Sequence, residues 1–393
     1  MIKKFIYYCF LRCCLLFACC NAFSQTAIYK SDFVFDDFKS ERLSGFIIMA
    51  EDAILFNASN QKVYSIDKKE RRINWEIKGV KPEVIPYLYG STFFYGVYEN
   101  EVLRTAQFNL NTGEKIKDFP FESITAKPYF INDTMYAAVH FDGGQLIAYN
   151  LDENKLNWQQ NIRFGAEIQP VYLKDKMIAN AEDDNWFEID YDGNFSKTKS
   201  KKHTYLDTVQ VFIKNYKFLT HDSKEITSDF LKKNKLSNSD FQTKTNENNT
   251  FVLTENQLLI LGNNKKKVLQ LDLEKEFPTD DFYQDAYCDI LAFDSESVWF
   301  NYQNHLLHYD FRNKKLLRKV DLTKWNPYQI VLEGRTIWLI SKTDGQLYGL
   351  DFEPDQQTAD KIQAIANYYK CTEPDLKKIE AMKAAQEKLK NKQ

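Results

Sequence analysis

Thr134-Met135-Tyr136-Ala137-Ala138-Val139, then Asp142-Gly143-Gly144, then Gln145-Leu146-Ile147-Ala148-Tyr149-Asn150, with Lys155 and Trp158 just beyond, is the fullest copy of a pattern that runs through this chain. It reads as apolar strand, Gly-rich turn, apolar strand, and an Asn that opens another turn. The ending recurs at Tyr64-Ser65-Ile66-Asp67, Ala106-Gln107-Phe108-Asn109, Glu188-Ile189-Asp190, Gln270-Leu271-Asp272, His308-Tyr309-Asp310 and Gly349-Leu350-Asp351. Intervals between the Asp or Asn anchors are 42, 41, 40, 82, 38 and 41 residues. The long interval is twice the others, and a weak copy at Thr227-Ser228-Asp229 divides it. A period near 40 residues with several strands per unit is the signature of a propeller blade. The expected fold is all-β: a β-propeller of about eight four-stranded blades, or seven if the unit at Asp229 is an insertion.

Other strand pairs fit the same frame. Ala53-Ile54-Leu55-Phe56 precedes Lys62-Val63-Tyr64-Ser65-Ile66, and Ser297-Val298-Trp299-Phe300 precedes His305-Leu306-Leu307-His308-Tyr309. Thr336-Ile337-Trp338-Leu339-Ile340 precedes Gln346-Leu347-Tyr348-Gly349-Leu350 across Asp344-Gly345. No useful helical periodicity is read between residues 26 and 355. Ala27-Ile28-Tyr29 or Phe33-Val34-Phe35, ahead of the first full unit, are candidates to return and complete the last blade.

The chain has 393 residues, which at ordinary domain sizes could be two domains, but a repeat array can run this long as one. Net charge is −3 with both signs interspersed, which disfavours nucleic acid as a partner. Phe and Tyr number 30 and 23, a composition that suits pleated, half-buried strands.

Residues 1–24 stand apart. Lys3 and Lys4 precede an apolar run, and Ala22-Phe23-Ser24 offers small residues at a cleavage site. This is the pattern of a secretory signal peptide, so the protein is expected to be exported. Leu16-Phe17-Ala18-Cys19 also fits a bacterial lipobox, with Cys19 as a lipidation site and peripheral membrane association as the consequence. Only Cys288 and Cys371 lie beyond the leader; they either pair in an oxidising compartment or stay as two thiols.

The repeat ending resembles that of the PQQ-like (BamB-type) propeller family, written A-x-D-x-x-T-G-K-x-x-W. Ala148, Asn150, Lys155 and Trp158 match it, as do Ser65, Asp67 and Trp75. Asn109, Thr112 and Gly113 match its centre, and His308, Asp310, Asn313, Lys314 and Lys315 keep the anchor and the basic residue. The resemblance covers roughly residues 30 to 355. It implies that Trp75 and Trp158 dock between neighbouring blades, and that Asp67, Asn109, Asn150, Asp190, Asp272, Asp310 and Asp351 are structural anchors. The family includes quinoprotein dehydrogenases with an adjacent Cys pair near the cofactor. Here the adjacent pairs, Cys13-Cys14 and Cys19-Cys20, fall in the leader, so no cofactor is expected.

The organisation read from the sequence is a signal peptide over 1–24, the propeller over 25–355 and a helical tail over 356–393. In the tail, Ile362, Ile365 and Tyr369 recur at helical spacing, and Thr372-Glu373-Pro374-Asp375 opens a second helix. The tail either packs on the propeller or binds a partner.

No catalytic or metal constellation is read. His305 and His308 point to opposite faces of a strand, and Asp190-Tyr191-Asp192-Gly193 is half a calcium loop that coincides with a repeat turn. The expected function is a non-catalytic protein-binding scaffold in the bacterial envelope, periplasmic or outer-membrane-associated, with an extracellular location as the alternative, its partners envelope or outer-membrane proteins. The resemblance implies a BamB-like part in outer-membrane protein assembly. The alternatives are a carbohydrate or small-ligand binder and, further off, a PQQ-dependent enzyme.

Overall fold

The computed structural model describes residues 25–32, 46–58, 61–80, 86–140, 143–163, 170–172, 175–180, 186–198, 241–245, 248–262, 266–279 and 288–369. The leader, the weak repeat at Asp229, Phe33-Val34-Phe35, Cys371 and the second tail helix lie outside them. Among the described residues the strands form seven antiparallel sheets.

The chain falls into two compact units. The unit over 35–278 holds five sheets. Sheet one is β2 (Phe46–Met49), β3 (Ala53–Ala58), β4 (Lys62–Asp67) and β5 (Ile73–Lys78). Sheet two is β6 (Tyr87–Tyr89), β7 (Thr92–Glu99), β8 (Val102–Asn109) and β9 (Lys115–Asp118). Sheet three has a first edge split into β10 (Ser123–Ile124) and β11 (Tyr129–Ile131), both on β12 (Thr134–His140), followed by β13 (Gly144–Asn150) and β14 (Lys155–Arg163). Sheet four is β15 (Val171–Tyr172), β16 (Lys176–Asn180), β17 (Trp186–Asp190) and β18 (Phe195–Thr198). Sheet five is β19 (Phe241–Thr245), β20 (Asn249–Thr254), β21 (Gln257–Gly262) and β22 (Lys267–Asp272). A single helical turn, α1 (Leu273–Glu276), follows, and the Asp272 carboxylate caps it by accepting the Lys275 N–H. A single turn of this kind is too short to register as helical periodicity in the sequence. An acid at a strand end is as good an N-cap as a turn-former, and local contacts choose.

The second unit holds sheet six, β23 (Asp289–Phe293), β24 (Ser297–Tyr302), β25 (His305–Asp310) and β26 (Lys315–Asp321). It also holds sheet seven, where β27 (Pro327–Glu333), β28 (Thr336–Ser341) and β29 (Leu347–Asp351) are completed by β1 (Thr26–Lys30). Ala27-Ile28-Tyr29 thus returns to the last sheet. Helix α2 (Gln356–Tyr369) leaves sheet seven.

Apart from the split edge of sheet three and the return of β1 to sheet seven, each sheet is an up-and-down meander of consecutive strands, the topology of a propeller blade. Middle strands such as β4 are buried on both faces, whereas the outer strand β5 is half-buried at Trp75 and Ile77 and exposed elsewhere. Strand alternation sends neighbouring residues into different cores. Phe93 and Tyr95 pack with Phe46 and Leu55 of sheet one. Phe94, between them, packs with Phe119, Phe130 and Tyr149 towards sheet three. Tyr136 and Leu146 of sheet three share the next core with Tyr172, Met177 and Phe187 of sheet four. A single blade has two apolar faces, so only stacking on neighbours takes both out of water.

Candidate functional site

The anchors organise the turns. Asp67 accepts the N–H groups of Lys69 and Glu70, Asn109 those of Asn111 and Thr112, and Asp310 those of Arg312 and Asn313, at 2.6–3.1 Å. Asn150 accepts from Glu153 N–H at 2.8 Å and Asp351 from Glu353 N–H at 2.9 Å. At Asp190 one carboxylate oxygen takes the N–H groups of Asp192 and Asn194, and the other takes the Asn194 amide. The Asn194 side chain and these N–H groups hold the Asp190 carboxyl below the usual range. The half calcium loop is therefore a turn that satisfies itself, and no group of metal-ligating side chains assembles among the described residues.

Eight residues after an anchor comes a side chain that crosses to the next sheet. Trp75 Nε1–H donates to the Leu110 carbonyl at 3.1 Å, and its ring stacks on Phe93 at 5.6 Å. Trp158 Nε1–H donates to the Tyr191 carbonyl at 3.0 Å. Lys117 does the same to Leu151, and Arg318 to Phe352, so the two cations occupy the Trp position. In all four the acceptor is the residue that follows the next anchor. A β-bulge before this position turns the side chain towards the neighbour: Asn74, Ile116, Asn157 and Leu317 are the extra residues. Gly113 and Gly193 must be glycine, since both have positive φ and an added Cβ would lie 2.6 Å from Trp75 and from Trp158. The two Trp were legible in the sequence. The equivalence of Lys117 and Arg318 was not, because neither shares chemistry with Trp beyond an N–H.

The histidines separate as expected. His305 Nδ1 is 2.8 Å from the Gln303 carbonyl, and His308 Nε2 is 2.9 Å from Ser297 Oγ. His308 stacks on Trp299 at 4.0 Å, and burial pushes it down to about 4. Cys288 is half-buried.

Among the described residues seven large apolar side chains are exposed: Ile73, Tyr98, Val102, Ile116, Phe195, Val268 and Leu317. In sheet two the β7–β8 hairpin runs eight residues a side and ends in Asn100-Glu101, both at positive φ (51° and 65°). That is the tight turn matched to strand twist, built without glycine. At its tip Tyr98 is 41% and Val102 51% exposed. The tip is braced: Tyr98 N–H donates to the Gly79 carbonyl at 2.7 Å, Val80 bridges Val97, and Lys115 pairs with Glu99. Tyr98 pairs with Leu103 and Glu99 with Val102, so Tyr98 and Val102 are held out in water on opposite faces of a braced hairpin. No sequence signal marks this tip, because Tyr98 and Val102 read as ordinary strand residues.

No family model matches the chain, and no curated protein matches it. Among solved structures, BamB from Moraxella catarrhalis is similar over 79% of this chain and 83% of its own, at 9% identity and a TM-score of 0.38. The computationally designed protein Ika8 is similar over 81% of this chain and 98% of its own, at 11% identity and a TM-score of 0.45. Similarities this low carry no function across.

Proposed function

We propose that the sheets are the blades of a β-propeller and that the protein is a non-catalytic, exported scaffold that binds other proteins of the bacterial envelope. The observation that carries this is the β7–β8 tip, where Tyr98 and Val102 stand exposed on a braced hairpin. Tyr is favoured at interfaces because a rigid, amphipathic ring buries much area at little entropic cost. The polar groups of the repeat support the same reading. Anchor carboxylates are committed to turns, and the crossing donors to carbonyls of the next sheet. A part in outer-membrane protein assembly is the specific form of this reading, and the identity of the partner decides it.

The test is crosslinking of the tagged, exported protein, followed by pull-down in mild detergent. Wild type and the pair Tyr98→Ala with Val102→Asp are compared. Envelope proteins recovered with wild type and lost with the pair, at an unchanged melting temperature, are the expected result. A clean monomer in both forms, or the same partners in both, removes the hairpin tip as the contact.

A further inference from the structure

Among the described sheets, sheet seven alone takes a strand from elsewhere in the chain. Strands β27, β28 and β29 follow one another, and β1 closes the edge with Thr26 opposite Asp351, Ala27 opposite Leu350, Tyr29 opposite Gly349 and Lys30 opposite Tyr348. The edge it covers is a demanding one. Residues Leu347 to Leu350 are buried, and the Leu347 N–H and carbonyl are taken by the Ser31 Oγ and N–H, both at 3.0 Å. Without a strand here these two backbone groups lose their partners.

The edge also reads side chains at three successive positions. Tyr29, opposite Gly349, has its ring 5.7 Å from Trp338. Lys30 Nζ lies 3.4 Å from Asp344 and 5.5 Å from the Tyr348 ring. Ser31 supplies the hydroxyl. Aromatic, cation and hydroxyl on an extended backbone are the specification of a strand ligand. None of these contacts depends on which chain carries the strand. β1 belongs to the compact unit of sheets six and seven, whereas β2 belongs to the other unit. Residues 33–45 join the two strands, a tether of at most about 45 Å. A chain's own strand and a second copy's strand therefore differ in effective concentration and not in contacts.

We propose that the β29 edge is a strand-receiving site that accepts β1 of a second copy, giving a reciprocally swapped dimer in which every sheet keeps the strands it has in the monomer. The order of events favours exchange during folding. Ser31 and Leu347 are 316 residues apart in sequence. A contact of that separation closes late, and until it does both the strand and the edge are open to a neighbour. Exchange needs no new interface, because residues 33–45 serve as the hinge and only the tether changes. Refolding at high dilution gives the closed monomer.

Two single-cysteine variants of the full chain test this, with all seven native cysteines replaced by Ser. One carries Thr26→Cys and the other Asp351→Cys, positions that face each other across β1 and β29. An equal mixture is unfolded in urea, refolded at about 1 µM and at about 100 µM, and oxidised. The expected product is a disulfide-linked pair of the two chains, at least about tenfold more abundant at the higher concentration. Thr26→Cys and Asp351→Cys in one chain should close internally at the lower concentration. Thr26→Cys mixed with Glu333→Cys, on the far edge of sheet seven, should give no such pair. Three results overturn the proposal: monomers alone from the first mixture, equal yields from the Glu333→Cys mixture, or a double variant that does not close on itself.

Discussion

At the scale of single residues, the repeat obeys a size rule across its strands. The crossing residue lies beside the residue two before the anchor: Trp75 beside Ser65, Trp158 beside Ala148, Lys117 beside Gln107 and Arg318 beside His308. Small residues accompany Trp, and larger ones accompany the thinner cationic stems. In sheet seven the row is Trp338, Gly349 and Tyr29, and a Cβ on Gly349 would lie 2.8 Å from Trp338. The rule makes a prediction. Lys117→Trp alone overfills the row against Gln107 and should cost about 1–3 kcal/mol. Adding Gln107→Ala should return most of it, a coupling of at least about 1 kcal/mol measurable by urea unfolding of the four proteins in the cycle. Additive costs would show that the row is not what sets these residues. The anchors and the two Trp were legible because Asp, Asn, Gly and Trp have few roles in such turns. Lys117 and Arg318 were not, because a Lys or Arg on an outer strand normally marks a solvated edge.

At the scale of elements, the outer strand does most of the joining. In sheets one, two, three and six it is bulged and carries the crossing donor, and in the last sheet it is supplied by β1 from the other end of the chain. That return was expected from the position of Ala27-Ile28-Tyr29, although the choice between it and Phe33-Val34-Phe35 needed the observed pairing. Ser31 fastens it: its N–H donates to the Leu347 carbonyl at 3.0 Å, its Oγ accepts the Leu347 N–H at 3.0 Å, and its carbonyl accepts the Gln346 amide at 2.7 Å. Ser31 is buried, so Ser31→Ala leaves the Leu347 N–H without that acceptor and should cost roughly 1–3 kcal/mol. Exchange at Leu347 should quicken in the variant, and an unchanged rate would mean that β1 is held by its side chains. The single turn of α1 shows the other limit of sequence reading. Asp272 opens a helix and Asp310 a hairpin turn from the same motif, and only three-dimensional context separates them.

At the scale of the whole molecule, spacing was more legible than chemistry. A period near 40 residues survives because every sheet needs the same four strands to cover two apolar faces, whatever the residues between them. Binding surface has no such period; Tyr98 and Val102 are exposed because one hairpin is long, a property of register that composition does not carry. If the sheets stack as nearest neighbours, damage should stay local. Trp75→Ala removes the bridge from sheet one to sheet two, and Arg318→Met the bridge from sheet six to sheet seven. Trp75 also stacks on Phe93, so its loss should cost about 3 kcal/mol, and that of Arg318, whose guanidinium covers Phe352, about 1–2 kcal/mol. Exchange protection should fall in sheets one and two for the first variant and in sheets six and seven for the second. The double variant should show the sum to within about 0.5 kcal/mol. Loss of protection in sheet six on substituting Trp75 would mean that the repeats unfold as one cooperative body, and the nearest-neighbour account would then be wrong for this chain.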